Sequence, residues 1–356
     1  MENSVFILGA GASAQAKVPL MKDFVDEADR LYQLDKVLDK KSFKKVLYAI
    51  KQLQQANSKS IIDLVNIESI LSAFEMAKLL NVFFGYSSDE IDELVESAKN
   101  VIAETIRGSM ICTHENDFQP PPYQKLAELI RFMISHAQPT HNISIITFNY
   151  DIAVELCLKR NNIDFNYSLS DKLQGNGINL LKLHGSLNWT KCSECETIVP
   201  FTKYLIPCTQ NIGRDKIKTD LLHFEVLRAN DTDCTHKNDY NPNIVNKPVI
   251  IPPVINKTFY YNELFNVWRK AALDLQKAEN IFVIGYSLPD TDYFFKYLYA
   301  LGTASETLFK RFWVFDPDKS VEERFRRLLG NTAKQRFEYI QQRFEQSINI
   351  IKKRIL

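Results

Sequence analysis

Cysteine is sparse: six in 356 residues, too few for a small disulfide-stapled scaffold. Charge of one sign is lacking as well. The 44 basic residues meet 43 acidic ones, a formal net charge of +1, so no global field draws the chain toward nucleic acid, and no direct nucleic-acid motif stands out. Long hydrophobic runs are missing, none approaching the ~18 residues that span a bilayer, so no membrane role is expected. Internal repeats and low-complexity tracts are absent too. What the chain has is core: 45% of it is apolar and 12% aromatic, which excludes a disordered tail protein. Its length predicts roughly two structural units. Acidic Glu2 and a strand-like start carry no export signal. The expected location is therefore cytoplasmic, with thiols reduced, and spaced cysteines there point to a metal or to nothing special.

Six short runs rich in β-branched and aromatic residues read as strands buried on both faces: 5–8, 143–147, 180–183, 249–251, 281–284 and 312–315. Several lead directly into helix-like sequence, and that alternation predicts an α/β fold with a parallel sheet. Between residues 22 and 138 the pattern turns helical. Phe43, Val46, Leu47, Ile50 and Leu53 recur at helical spacing, and 61–80 forms a second stretch. Ser87 with Glu90 reads as a capping box opening a helix through Ile91, Leu94, Val95, Ala98 and Val101. Pro120-Pro121-Pro122 breaks the chain before another helix near 126–134. This insertion serves packing and shape, or lies as a lid over a site. Residues 191–245 form a polar, Cys-containing small module. From Ala333 onward, Phe337, Ile340, Phe344, Ile348 and Ile351 fall on one helical face, so 331–356 is expected to be a C-terminal amphipathic helix. It docks on its own chain or binds a partner subunit.

Five motifs follow strand candidates. The first is Gly9-Ala10-Gly11-Ala12-Ser13, either a turn whose backbone approaches a pyrophosphate, with Ser13 donating to it, or a plain Gly-rich turn. It lacks the third glycine of the dehydrogenase fingerprint, and helical sequence replaces the second strand with its acidic end, which disfavours hydride transfer. The second, Thr147-Phe148-Asn149-Tyr150-Asp151, sets Asn149 and Asp151 where parallel sheets bind ligands, or makes Asp151 a helix cap. The third, Leu183-His184-Gly185-Ser186, makes His184 an acid–base candidate at a strand's carboxyl end, against the plainer reading of a structural histidine. The fourth and fifth are Gly285-Tyr286-Ser287-Leu288-Pro289-Asp290-Thr291-Asp292 and Phe315-Asp316-Pro317-Asp318. They set small or acidic groups where a ribose binds, though strand–Gly–turn is also ordinary punctuation.

Taken in order, these motifs resemble the sirtuin-like superfamily, and within it the bacterial Sir2-like NAD hydrolases of antiphage defence. The resemblance implies a discontinuous Rossmann-like NAD-binding domain over 1–21, 139–190 and 246–330, with helices on both faces of its sheet. It implies NAD+ as substrate, cleaved to nicotinamide and ADP-ribose. Asn149 would position the ribose or the attacking water, His184 would be the acid–base residue near the ribose hydroxyls, and Asp151 would meet the carboxamide of nicotinamide. Gly9, Ala10, Gly11, Ser13, Pro19, Thr147, Gly285, Ser287 and Asp316 would hold the dinucleotide. Deacylating sirtuins carry Gln-Asn-Ile-Asp where this chain has Phe148-Asn149-Tyr150-Asp151. Of their Gly-Ile-Pro-Asp-Phe-Arg loop only Pro19 survives. These losses speak against protein deacylation, the alternative, while the retained Asn149 and His184 speak against a non-catalytic sensor of NAD or ADP-ribose. Relatives assemble as homo-oligomers or with a partner subunit such as a HerA-type ATPase. Cys192-x-x-Cys195 stands where sirtuins begin a zinc module. Zn2+ needs four ligands, and Cys208, Cys234 and His236 are the available partners, Cys234 with His236 being the most suggestive. The plainer reading is a degenerate module without metal.

Overall fold

The computed structural model describes residues 2–56, 62–110, 121–136, 142–170, 177–200, 203–211, 217–225, 234, 247–251, 258–289, 292–304, 307 and 309–355. The first two strands are β1 (Ser4–Leu8) and β2 (Ile143–Thr147), buried along their whole length, as strands covered on both faces must be. Between them lie α1 (Ala10–Ser13), α2 (Phe24–Gln33), α3 (Lys40–Gln55), α4 (Ile67–Leu80), α5 (Ser88–Ser109) and α6 (Pro121–His136). After β2 come α7 (Ala153–Arg160), β3 (Phe165–Asn166), β4 (Ile178–Lys182), β5 (Gly185–Ser186), β6 (Trp189–Lys191), β7 (Ile198–Pro200), β8 (Lys203–Asn211), β9 (Ile217–Glu225) and β10 (Val249–Ile250). The chain then continues through α8 (Thr258–Lys277), β11 (Asn280–Ile284), α9 (Tyr293–Gly302), β12 (Arg311–Phe315), α10 (Ser320–Leu328), α11 (Asn331–Lys334), β13 (Phe337–Ile340) and α12 (Phe344–Ile355).

Seven strands make one sheet in the order β13-β12-β11-β1-β2-β4-β3, every neighbouring pair parallel. The fold is the expected α/β, Rossmann-like parallel sheet flanked by helices. From β1 the chain moves outward through β2 and returns to the other side of β1 at β11. The strand order therefore reverses between β1 and β11, and a ligand crevice belongs at the carboxyl ends of such a switch point. No described helix is long and apolar enough to cross a membrane.

The helical insertion forms where local signals are strong. Ser87 Oγ accepts from Glu90 N at 3.3 Å, and Glu90 accepts from Ser87 N at 2.8 Å, the expected capping box of α5. The second stretch starts later than the pattern suggested. Helix α4 begins at Ile67, where Asn66 caps Glu68 N at 2.9 Å.

Two expectations are corrected. Residues 331–356 are not one amphipathic helix: Phe337–Ile340 is strand β13, paired with β12, and only Phe344–Ile355 continues as a long helix. Phe337 and Ile340 fit helical spacing, but Phe337-Glu338-Tyr339-Ile340 also suits a strand, and the open edge of β12 supplies a partner. Helix α12 then docks on its own chain. Phe344 meets Tyr123 of α6 edge-on at 5.1 Å, and Lys125 pairs with Glu345 at 2.9 Å. Phe344, Ile348 and Ile351 are buried, each contributing roughly 1.5–3 kcal/mol. The second correction concerns 249–251. Val249–Ile250 pairs antiparallel with Gly185–Ser186 outside the main sheet. Gly185 sits at φ +88°, and a Cβ there would lie 2.1 Å from Val249 O, so only glycine admits this approach. Strand β6 leads into the polar stretch 191–245 and pairs antiparallel with β7, and β8 pairs antiparallel with β9 within it, which its irregular pattern did not announce.

Candidate active site

The strands of the sheet end in register. Leu8 lies opposite Thr147 and Ile284, Ile284 opposite Phe315, and Thr147 opposite Lys182. All five motifs thus leave the sheet side by side at its carboxyl edge. Hydrogen bonds bind the loops to one another. Gly11 N donates to Gly285 O at 2.9 Å, Gly9 N to Ile284 O at 3.1 Å, and Gly285 N to Phe315 O at 3.0 Å. The glycines here serve loop packing. A Cβ on Gly9 would lie 2.5 Å from Gly285 O, and one on Gly285, at φ +61°, 2.5 Å from Ala12 N.

Ser13, Asn149 and Asp151 form one cluster. Asn149 Nδ2 donates to Gly9 O at 2.9 Å and to Ser13 Oγ at 2.7 Å. Ser13 Oγ donates to Asp151 Oδ2 at 2.6 Å, and Asp151 Oδ1 accepts from Ala153 N at 2.9 Å. Asp151 therefore satisfies the first backbone N–H of α7 and also orders the Gly-rich loop. With both amide protons of Asn149 engaged, its Oδ1 is the group left to accept a bond from a hydroxyl or a water. Thr147 Oγ1 donates to Leu8 O at 3.0 Å and accepts from Asn149 N at 3.1 Å, so it ties β2 to β1 and holds Asn149 above them.

His184 forms a second cluster. It is 2% exposed, and its backbone carbonyl accepts from Ile251 N at 2.9 Å. Its Nε2 lies 3.6 Å from Asp292 Oδ1, while Tyr286 donates its hydroxyl to Asp292 Oδ2 at 2.9 Å. Phe148 joins the two clusters. Its ring stacks on Tyr286 at 4.2 Å and meets His184 edge-on at 5.2 Å, and the next residue is Asn149. Burial holds the Tyr286 hydroxyl well above its ordinary pKa, and the charge of Asp292 adds to this.

Beneath the loops runs a buried polar chain. Lys182 pairs with Glu155 at 2.8 Å and donates to the carbonyl of Asp151. Tyr167 donates to Glu155 at 3.1 Å, Asn188 Nδ2 to Tyr167 Oη at 2.9 Å, and Ser186 to Asn188 Oδ1 at 2.6 Å. Burial raises the Glu155 carboxyl above its usual range, against the pull of Lys182.

The remaining expected residues are more scattered. Asp316 follows β12, and its carboxylate accepts from Asp318 N at 2.8 Å, with burial raising its pKa. Ser287 O accepts from Arg324 at 3.1 Å. Ala10 lies within α1. Pro19 is half-buried in the loop before α2, and no bond joins it to these clusters among the described contacts. Sequence reasoning did not single out Asp292, Tyr286, Phe148 or Tyr123. Tyr123 comes from α6 of the insertion and places its hydroxyl 3.4 Å from Ser13 Oγ. Asp292 had a signal, an acidic group after a strand, whereas Tyr286, which locks it, had none.

The Sγ atoms of Cys192, Cys195 and Cys234 lie within 4.8 Å of one another, the last two 3.6 Å apart. Thiolates around one tetrahedral Zn2+ sit about 3.8 Å apart, from Zn–S bonds near 2.3 Å, so these three residues fit a thiolate metal site. His236 lies outside the described residues, and Cys208 is described by its backbone alone, in β8.

No protein-family model matches the chain, and no curated protein is similar to it in sequence. Among solved structures it is similar to Sir2Tm bound to a propionylated peptide, at 13% identity and a TM-score of 0.39, covering 99% of this chain and 92% of that one. A Sir2 complex with a p53 peptide and NAD+ is similar at 10% identity and a TM-score of 0.39, with the same coverage. A Sir2 homologue in complex with ADP-ribose is similar at 13% identity and a TM-score of 0.38, covering 99% and 93%. Similarity of this degree leaves the reading of the site to its own residues.

Proposed function

We propose that the protein is an NAD+ glycohydrolase that breaks the nicotinamide–ribose bond and releases nicotinamide and ADP-ribose. The observation that carries this reading is the junction of Asn149 and His184 through the Phe148 ring at the carboxyl edge of the sheet. In the proposed reaction the C1′–N bond breaks and its electron pair goes to the pyridinium nitrogen, leaving an oxocarbenium-like ribose. Water adds to C1′. Asn149 Oδ1 holds that water or the ribose, and His184 takes the proton. Fixed dipoles aimed at the developing charge supply the stabilisation. Asp151, with two acceptor sites in use, retains lone pairs for the carboxamide of nicotinamide. The dinucleotide runs past Gly9, Ala10, Gly11, Ser13 and Thr147, then Gly285, Ser287 and Asp316, with Pro19 closing the loop.

The division of labour we propose is that 1–21, 139–190 and 246–330 form the NAD+-binding domain, 22–138 the insertion and 191–245 the small module. A structural Zn2+ held by Cys192, Cys195 and Cys234, with His236 as fourth ligand, would tie the module together. Metal analysis of the purified protein is expected to find one zinc per chain, lost in Cys195→Ser. The sequence resemblance supports a role in antiphage defence by NAD+ depletion, in the cytoplasm, with an off state released by homo-oligomer assembly or by a partner such as a HerA-type ATPase.

The test is incubation with NAD+ alone, with and without such a partner, following nicotinamide and ADP-ribose. Release by the wild type and loss in Asn149→Ala and His184→Ala, with the fold intact by circular dichroism, supports the reading. Full activity in both variants overturns it, and release that requires an acyl-lysine peptide moves it to deacylation.

A further inference from the structure

We propose that Asp292 is the positioning residue for His184, with Tyr286 locking Asp292 in turn; this rests on His184 being the acid–base group. The three side chains are all buried. Asp292 divides its two oxygens: Oδ2 accepts the Tyr286 hydroxyl at 2.9 Å, and Oδ1 faces His184 Nε2 at 3.6 Å. That second distance is an ion-pair contact, longer than a hydrogen bond, and catalytic contacts of this kind shorten once the base is charged. A carboxylate taken out of water is costly unless donors meet it. Tyr286 is one donor, and an imidazolium at His184 is the second.

The aromatic packing removes other arrangements. Phe148 stacks on Tyr286, and Phe295 meets both rings edge-on at 5.3 Å, so the Tyr286 hydroxyl is held toward Asp292. Around His184 stand Phe148, Tyr150, whose ring centroid is 6.2 Å away, and Asp292. Glu68, at the start of α4, acts on the hydroxyls of Tyr150 and Tyr286. Asp292 is the acid in ion-pair contact with the imidazole, and its charge favours the protonated form. When His184 takes the proton released by water at C1′, the positive charge forms beside a carboxylate already in place. The proton then returns to solvent and His184 is neutral again.

The experiment follows His184 alone. Its ring C–H signals are titrated by NMR in the substrate-free protein and assigned by their loss in His184→Ala. In Asp292→Asn the midpoint is expected to fall by about one unit, since an opposite charge at this range raises a histidine by that order. The acidic limb of kcat/KM moves with it, and kcat drops on the order of 10²-fold with little change in KM. Asp292→Glu, which keeps the charge, is expected to restore most of the midpoint. A folded Asp292→Asn whose midpoint stays within about 0.2 unit of wild type overturns the assignment. If asparagine prevents folding, Tyr286→Phe carries the test: a shift of about 0.3 unit or more supports the lock, and none overturns it. The titration needs no NAD+. A wild type that leaves NAD+ intact both alone and with the partner subunit, yet shows the Asp292 shift, would sink the hydrolase reading and keep the pair, and an active enzyme without the shift would do the reverse.

Discussion

The amino edge of the sheet buries a carboxylate just as the carboxyl edge does, yet the two are built differently. At the amino edge Asp274 of α8 is surrounded by donors. Oδ1 accepts from Asn142 at 3.2 Å and Lys270 at 2.5 Å, and Oδ2 accepts from Ser144 at 2.6 Å and Asn179 at 2.8 Å. These bonds staple α8 to the starts of β2 and β4, and three of the four partners, Asn142, Ser144 and Asn179, are neutral groups that do not titrate. At the carboxyl edge Asp292 meets Tyr286 and the imidazole of His184, a side chain that can both take and give up a proton. Buried polarity alone is therefore no sign of chemistry. What separates the edges is a partner that titrates and loops that meet through glycine.

The largest expected contrast is in turnover. His184→Ala should lower NAD+ cleavage by about 10²-fold or more with the fold retained, whereas Asp274→Ala should keep wild-type turnover per folded molecule. Equal loss in both would erase the distinction between the edges. Stability should show the opposite order. Asp274→Ala leaves Ser144, Asn179 and Lys270 without their shared acceptor, an expected loss of about 3 kcal/mol in urea unfolding, while His184→Ala costs less.

The smallest effect is expected far from both edges, on the insertion. Hydrogen bonds from Lys41 and then Lys45 of α3 depress the Glu93 carboxyl of α5 to about 2. A carboxyl depressed by folding adds stability above its unfolded value, 4.5 here, and loses it as pH falls through about 2. Glu93→Gln should therefore lower Tm slightly at pH 7 and not at pH 2. Glu93 is exposed and its two ion pairs are screened, and a larger loss at pH 2 would reverse the sign.

Much of this was legible in the residues. The parallel strands showed as unbroken apolar runs because both their faces are covered, and the Ser87–Glu90 box showed because its two partners are neighbours. Asn149, Asp151 and His184 were legible as positions, each just past a strand. Their contacts were not. Asp151 reaches Ser13 across 138 residues, and the Tyr123 hydroxyl arrives from the insertion. Strand β13 hid behind a helical period because four residues fit either pattern, and only the edge of β12 decided between them. Val249–Ile250 looked like the other strands and lies outside the sheet because Gly185 offered it a different partner.

By itself the sequence determined the central parallel strands and the capped helices, where glycine permits loops to touch, and which side chains stand at the ends of those strands. Those are short-range matters of periodicity, capping and steric volume. Tertiary structure decided which loop faces which, and so whether a carboxylate caps a helix, staples a sheet or charges an imidazole. The reason is physical: a side chain's role depends on the neighbour that meets it out of water, and that neighbour is brought in by strand order rather than by proximity along the chain.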